Sequence, residues 1–241
     1  MYSLYLWDGL KARYIRELLD IFTLYDEKIK PVFSDPEGEA EEYKATVWEQ
    51  FMQRPVAEDS YIEPDHFVDS VMEMAYERFE LFSLMRYRTR MAWISCLRQV
   101  WEQQIYKFLL DESKHPHSIF QLDSKKGGDF NYIKNCYTNF GVDFSTLNNW
   151  DKINELRLLV NVIKHGDGTS ADTLRNLRPD YFASTSRFFT ISPDDDLLKY
   201  HGASLLDQVL QVSDQDFKEY LDALVDFWKQ LPEYMNYQSQ P

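Results

Sequence analysis

The sequence predicts an all-α fold, a helical bundle built around one long scaffold helix, and three observations carry that expectation. After Pro64 about 45 residues pass without proline or glycine, to about Asp111, and proline suits the first turn of a helix. Apolar residues recur at spacings of three and four in two further stretches, Ile153, Leu156, Val160 and Ile163, then Phe217, Leu221, Leu224, Val225, Trp228 and Leu231. That period puts each set on one buried stripe of a helix. Finally, strands and helices do not alternate in the way a doubly wound sheet requires, and the chain has neither a Gly-rich phosphate loop nor a Gly-x-Ser-x-Gly elbow. Common enzyme classes are thereby disfavoured.

Taken in order, Leu4, Trp7, Leu10, Tyr14, Leu18, Ile21 and Leu24 predict a first amphipathic helix over residues 4–30, ending before Pro31. Between Pro31 and Pro64 the prolines and the acidic run Glu37–Glu42 surround a short apolar patch of Val47, Trp48, Phe51 and Met52, which reads as loop, short helix and loop. The run itself reads as a solvated face or as a partner surface. In the scaffold helix, apolar positions on more than one side require cover from several others. Its middle holds Arg86, Arg88, Arg90 and Arg98, a basic island suited to phosphate contact or to pairing with the chain's own carboxylates. Glu102, set among Trp101, Ile105 and Tyr106, is placed to orient a basic residue.

His115 and His117 flank a proline with no third ligand in sight, so no metal is expected there. A helix follows over residues 129–140. Ser170 is the expected N-cap of a short helix running to Arg178, with Arg175 and Arg178 on nearly the same side. Residues 179–212 read as an irregular insertion, with a short strand at Arg187–Ser192 and an acidic triplet, Asp194, Asp195 and Asp196, that reads as solvated loop. Ser213 and Asp216 form a capping pair for the terminal helix, which stops at Pro232 before a loose tail.

At 241 residues and 44% hydrophobic content, the chain can bury a sizeable core. Residues 1–63 read as an N-terminal helix and acidic, proline-containing region packed on a helical domain of residues 64–241. Twenty-six basic against forty acidic side chains give a net charge of −14, which opposes broad attraction to phosphate backbones or anionic membranes, so any RNA or nucleotide contact must be local. Aromatic residues make up 16% of the chain, enough for some to serve an interface or site beyond the core. Cys96 and Cys136 suggest neither a zinc cluster nor a disulfide framework and read as buried, reduced thiols. No basic leader or membrane-length apolar run is present, so a cytoplasmic protein is expected, with no membrane partner, metal or cofactor.

Polar residues are concentrated on the helix of Trp150–Gly168, WDKINELRLLVNVIKHGDG. With Arg157 at zero, Asn161 lies about 40° round the helix, Lys164 about 20° the other way and His165 about 80° round, at about 100° per residue. These four residues are the candidate site. Gly166 suits the left-handed residue that ends a helix, placing His165 at its C-terminus, where Lys164 and His165 also complement the helix dipole. The segment NVIKHGDG resembles the C-terminal signature of HEPN domains, which implies an HEPN-like helical bundle. In the ribonucleases of that family an arginine, usually followed by Asn, His or Asp, precedes a histidine after four to six intervening residues. Asn161 and His165 match the pattern. Val160 stands where the family's arginine would, and Arg157 has seven residues between it and His165.

Two functions follow. The resemblance implies a metal-independent endoribonuclease of a toxin or antiviral system, acting as a homodimer with two such helices facing each other. The RNA's own 2′-hydroxyl would attack, His165 would act as general acid or base, Arg157 or Lys164 would stabilise the phosphorane charge, and Asn161 would position a phosphate oxygen or the histidine. Val160 favours the alternative, a noncatalytic all-α module in which the same face binds a nucleotide, RNA or a partner protein.

Overall fold

The computed structural model describes residues 3–53, 64–115, 118, 120–183 and 196–238, and these form an all-α protein with one small two-stranded sheet. Its α-helices are α1 (Asp8–Leu24), α2 (Pro36–Met52), α3 (Pro64–Ser113), α4 (Phe130–Asn139), α5 (Trp150–His165), α6 (Thr169–Leu177), α7 (Leu197–His201) and α8 (Asp214–Gln230). The strands are β1 (Ser3–Tyr5) and β2 (Tyr234–Asn236), paired antiparallel with Leu4 opposite Met235. The chain divides into two compact units, Leu24–Arg90 and, drawn from both ends of the sequence, Met1–Thr23 with Met91–Pro241. No helix among the described residues is long and apolar enough to cross a membrane.

In the larger unit, α5 packs against α6 and α8 and buries Trp150, Ile153, Leu156, Leu159, Val160, Val162 and Ile163. The expected stripe is the core face. Aromatic rings fill the space between helices, with Phe227 edge-on to both Trp101 at 5.1 Å and Phe144 at 4.9 Å, and Phe144 5.3 Å from Trp150. Each such buried side chain is worth roughly 1.5–3 kcal/mol. Gln104, only 4% exposed, meets its polar needs by donating to the Tyr14 carbonyl at 3.1 Å and to Glu17 at 3.0 Å and by accepting from the Trp228 indole N–H at 3.0 Å. It thereby ties α1, α3 and α8 together. Ser213 and Asp216 form the expected capping box of α8, satisfying donors that the first turn leaves open.

The smaller unit is a helical hairpin. Asp35 caps α2 by accepting from the Gly38 N–H at 2.9 Å, and Pro36 occupies the first turn, where a missing N–H costs nothing. Stacking of Phe51 on Phe67, with ring centroids 3.4 Å apart, and the Arg78–Glu39 contact of 3.3 Å hold α2 antiparallel to the opening turns of α3. Arg78 also lies over the rings of Tyr43 and Phe82.

Several expectations are corrected. The first helix begins at Asp8 because residues 3–5 pair as a strand, and Pro31 lies within a 3₁₀ turn, Lys30–Phe33, that follows a π-helical turn over Tyr25–Ile29. The helix expected to be short is the 17-residue α2. Gly168, not Ser170, stands at the N-cap of α6, and no side chain caps that end. Within the insertion, Asp196 caps α7 rather than lying in free loop. The tail contributes β2, which closes on the N-terminus. Cys136 is buried as expected, whereas Cys96 is exposed on α3. The proposed strand at Arg187–Ser192, together with Asp194, Asp195 and His117, falls outside the described residues.

Candidate functional site

The end of α5 is built by backbone chemistry. Gly166 adopts φ of 72° with ψ of −143°, outside the expected left-handed helical closure but a conformation that glycine takes without strain, and returns its N–H to the Val162 carbonyl at 2.8 Å. Ser204 donates its hydroxyl to the Ile163 carbonyl at 2.7 Å, and the Asp167 N–H reaches the Gly202 carbonyl at 3.4 Å. The segment after α7 thus covers the Ile163 carbonyl, which the last turn cannot satisfy internally, and accepts one N–H from the residues that follow the helix. Lys164 and His165 are left exposed on that turn, and among the described residues neither side chain forms a hydrogen bond or ion pair.

One turn back, Asn161 is held at both ends. Its Oδ1 accepts from Arg98 Nη1 at 3.3 Å, and its Nδ2 approaches Ser170 Oγ at 3.5 Å. Arg98, 8% exposed, donates from Nη2 to Glu102 Oε1 at 2.5 Å, one turn along α3. A charge-assisted pair of this kind is stronger than a neutral hydrogen bond and fixes the guanidinium plane. Glu102 was expected to orient a basic residue of the site; it pairs instead with Arg98, and not with Arg157 or Lys164.

Arg157 faces elsewhere. Its guanidinium lies 5.9 Å from the centroid of Phe130, and the side chain lines an open cleft of about 900 Å³ with Trp150, Lys152, Asn154 and Leu158. His165 lies eight positions further along the helix, a rise of about 12 Å along the axis. Among the described residues the Nε atoms of Arg98 and Arg157 are buried without an acceptor. Val160 is 1% exposed, so the position where the HEPN signature carries arginine is here a core position that a charged side chain could occupy only at high desolvation cost. Of the four candidates, then, Asn161 is anchored from α3, Lys164 and His165 face solvent together, and Arg157 belongs to a separate cleft.

No protein-family model, curated protein or solved structure matches the chain.

A second polar cluster, absent from the sequence reading, braces the other side of α5. Glu155 Oε1 accepts from Arg178 at 2.7 Å, from the Tyr220 hydroxyl at 2.8 Å and from Lys152 at 3.1 Å. Arg178 also binds Asp180 at 2.7 Å and Asp216 at 2.8 Å, and the Tyr181 and Tyr220 hydroxyls are 2.8 Å apart. Burial pushes the Tyr220 and Tyr181 phenols up. Burial also acts to raise the Asp216 carboxyl, but hydrogen bonds from Ser213 and Arg178 outweigh it and hold the group below its ordinary range. Arg175 is likewise absorbed, by Asp196 at 2.5 Å, Asp167 at 2.6 Å and Asp172 at 2.9 Å. Arg175 and Arg178 are therefore internal braces. Among the described residues no group of three or more His, Cys, Asp or Glu side chains is placed to hold a metal.

Arg98 could be seen in the sequence only as one of four arginines, and its 63-residue separation from Asn161 hides the contact. Its one local signal is the Arg98–Glu102 spacing of four, a helical ion-pair spacing. Ser170, expected as an N-cap, instead meets the Asn161 amide.

Proposed function

We propose that this is an HEPN-like, metal-independent endoribonuclease in which the last turn of α5 holds the reacting group. The observation that carries the reading is the pairing of a solvent-facing Lys164 and His165 with an Asn161 held, one turn behind, by the buried Arg98, itself paired with Glu102. Preorganised polar groups behind an accessible imidazole are what in-line cleavage of RNA needs. As general base, His165 takes the 2′-hydroxyl proton while that oxygen attacks the adjacent phosphorus. The bond from phosphorus to the 5′-oxygen breaks, and a second imidazole, supplied by a second copy of the chain, protonates the leaving oxygen. A 2′,3′-cyclic phosphate and a 5′-hydroxyl result. Lys164 offsets charge on the phosphorane, and Asn161 directs a phosphate oxygen. Arg98 acts as a positioning residue through Asn161, so the buried Val160 does not remove the arginine's contribution.

A second reading rests on Arg157. Its place in the cleft beside Lys152, away from His165, suits a noncatalytic module that binds RNA or a nucleotide by phosphate contact.

The test is incubation of the purified chain with total and transfer RNA in EDTA, beside His165→Ala, with oligomeric state measured on the same samples. Cleavage that leaves cyclic phosphate ends and falls by about 10²-fold or more in His165→Ala is the expected result. Equal cleavage by His165→Ala overturns the assignment. Absence of cleavage by a folded dimer that still binds RNA, with binding weakened in Arg157→Ala, selects the second reading.

A further inference from the structure

The hairpin of α2 and the opening turns of α3 leaves one side uncovered. Between the helices runs a groove of about 280 Å³ floored by Trp48, Val68, Val71 and Met72. Trp48 is 44% exposed, Met72 53% and the adjoining Met52 69%, so a large apolar area faces solvent in a unit that buries few side chains of its own. Lone exposed apolar residues are ordinary, but a contiguous set along a groove marks an interaction surface.

Shape and charge together select the occupant. Two antiparallel helices with an apolar seam along one side are two-thirds of a three-helix cross-section, and a third helix with apolar residues at i, i+3, i+4 and i+7 fits the seam. Glu41 and Glu49 border the groove, Lys44 spends its charge on the exposed Glu41, and the nearby Glu42, Asp69 and Glu73 form no ion pair among the described residues. From Leu24 to Arg90 the chain carries sixteen Asp and Glu against eight Lys and Arg, a net of −8 out of the −14 for all 241 residues. A second copy laid on this surface would set −8 against −8, and an anionic membrane or nucleic acid would be repelled as well.

We propose that this groove docks a cationic amphipathic helix of a partner protein, with its apolar stripe on Trp48 and Met72 and its Lys or Arg residues against Glu41 and Glu49. The site belongs wholly to the smaller unit and is independent of the chemistry assigned to α5. At 17 residues, α2 offers about 25 Å of groove wall, which sets the length of helix it can hold.

The probe is a fluorescein-labelled synthetic helix of about 17 residues, with Leu and Ala on one stripe and Lys elsewhere, titrated with the full-length chain by anisotropy. Controls are the same composition scrambled and the same stripe with Glu in place of Lys. Saturable one-to-one binding is expected, about tenfold or more tighter than the scrambled control, with no binding of the Glu peptide. Met72→Glu weakens it about tenfold, and Glu41→Lys with Glu49→Lys weakens it comparably and flattens its salt dependence. Circular dichroism confirms that each variant is folded, and these exposed positions make that the expected outcome. Equal binding of the scrambled peptide, or undiminished binding by the folded Met72→Glu variant, overturns the proposal. So does sedimentation showing a dimer that Met72→Glu dissociates, since the groove would then belong to a second copy.

Discussion

Asn161 shows how a single amide can be specified by residues far away in sequence. Its acceptor end meets Arg98, whose charge is matched by Glu102, and its donor end points to Ser170, so the amide has one satisfied orientation. Replacing Arg98 with Met keeps much of the buried stem while removing both bonds. Glu102 keeps 27% side-chain exposure and can be rehydrated, which limits the penalty. A loss of about 1–3 kcal/mol in urea-unfolding free energy is expected for Arg98→Met, and a smaller one for Glu102→Gln. If Asn161 acts only when so held, Arg98→Met also lowers kcat for RNA cleavage, counted per folded molecule, while KM changes little, the folded fraction being measured by circular dichroism because loss of folded protein alone lowers apparent kcat. Wild-type kcat in a folded Arg98→Met protein would exclude the positioning role. At this scale the sequence displayed the Asn161–His165 spacing but not what holds it. Local periodicity reports which face a residue occupies, whereas the partner of a buried polar group is chosen by tertiary packing. Val160 is misleading for the same reason, since the resemblance of NVIKHGDG to the HEPN signature points to arginine there and packing makes the position core.

Among the elements, α3 was legible from its long run without proline or glycine and α5 and α8 from stripes that repeat over several turns, and the ends carry recognisable chemistry, Pro64 for α3, Gly166 for α5 and the Ser213–Asp216 box for α8. The full length of α2 was not, because four prolines from Pro31 to Pro64 and an acidic run suggested loop, although Pro36 sits where proline is tolerated. Strands of three residues are too short to show alternation, and β1 meets its partner from the opposite end of the chain. The close of α5 gives the sharpest test of element-level reasoning. A Cβ added to Gly166 would lie 2.2 Å from the Gly202 carbonyl oxygen, and the φ of 72° disfavours any other residue. Backbone, not a flexible side chain, would have to move, and it is the backbone that carries Ser204 to the Ile163 carbonyl. Gly166→Ala is therefore expected to cost about 2–4 kcal/mol, whereas Gly128→Ala, whose Cβ would meet nothing within 4 Å, should change stability by less than about 1 kcal/mol. Chemical denaturation of the two variants in parallel decides it, and equal effects would refute the cap's rigidity.

Across the whole molecule, pH acts in opposite senses through two sets of groups, and Arg178 links them. Hydrogen bonds from Arg178 lower the Asp180 carboxyl, and those from Ser213 and Arg178 carry Asp216 below its ordinary value despite burial. A carboxylate whose folded pKa is depressed contributes stability that is present above the ordinary carboxyl range, near pH 4, and is lost as pH falls through the lower folded value. The phenols behave inversely. Burial raises Tyr137, Tyr181 and Tyr220, and pushes Tyr14 up to about 12, so the folded state retains protons that the unfolded chain releases near pH 10. Their contribution is present below pH 10 and is lost as pH rises through the folded values. The melting temperature should thus show a plateau bounded by an acid limb below about pH 4 and an alkaline limb above about pH 10. Absorbance at 295 nm should show the buried phenols ionising together with unfolding, not ahead of it. Arg178→Met removes the shared donor of Asp180 and Asp216 while leaving the burial of Tyr137 and Tyr14 in place. It should flatten the acid limb and lower the plateau yet keep the alkaline limb. An acid limb as steep as the wild type's in that variant would show that carboxylates other than these two govern acid unfolding.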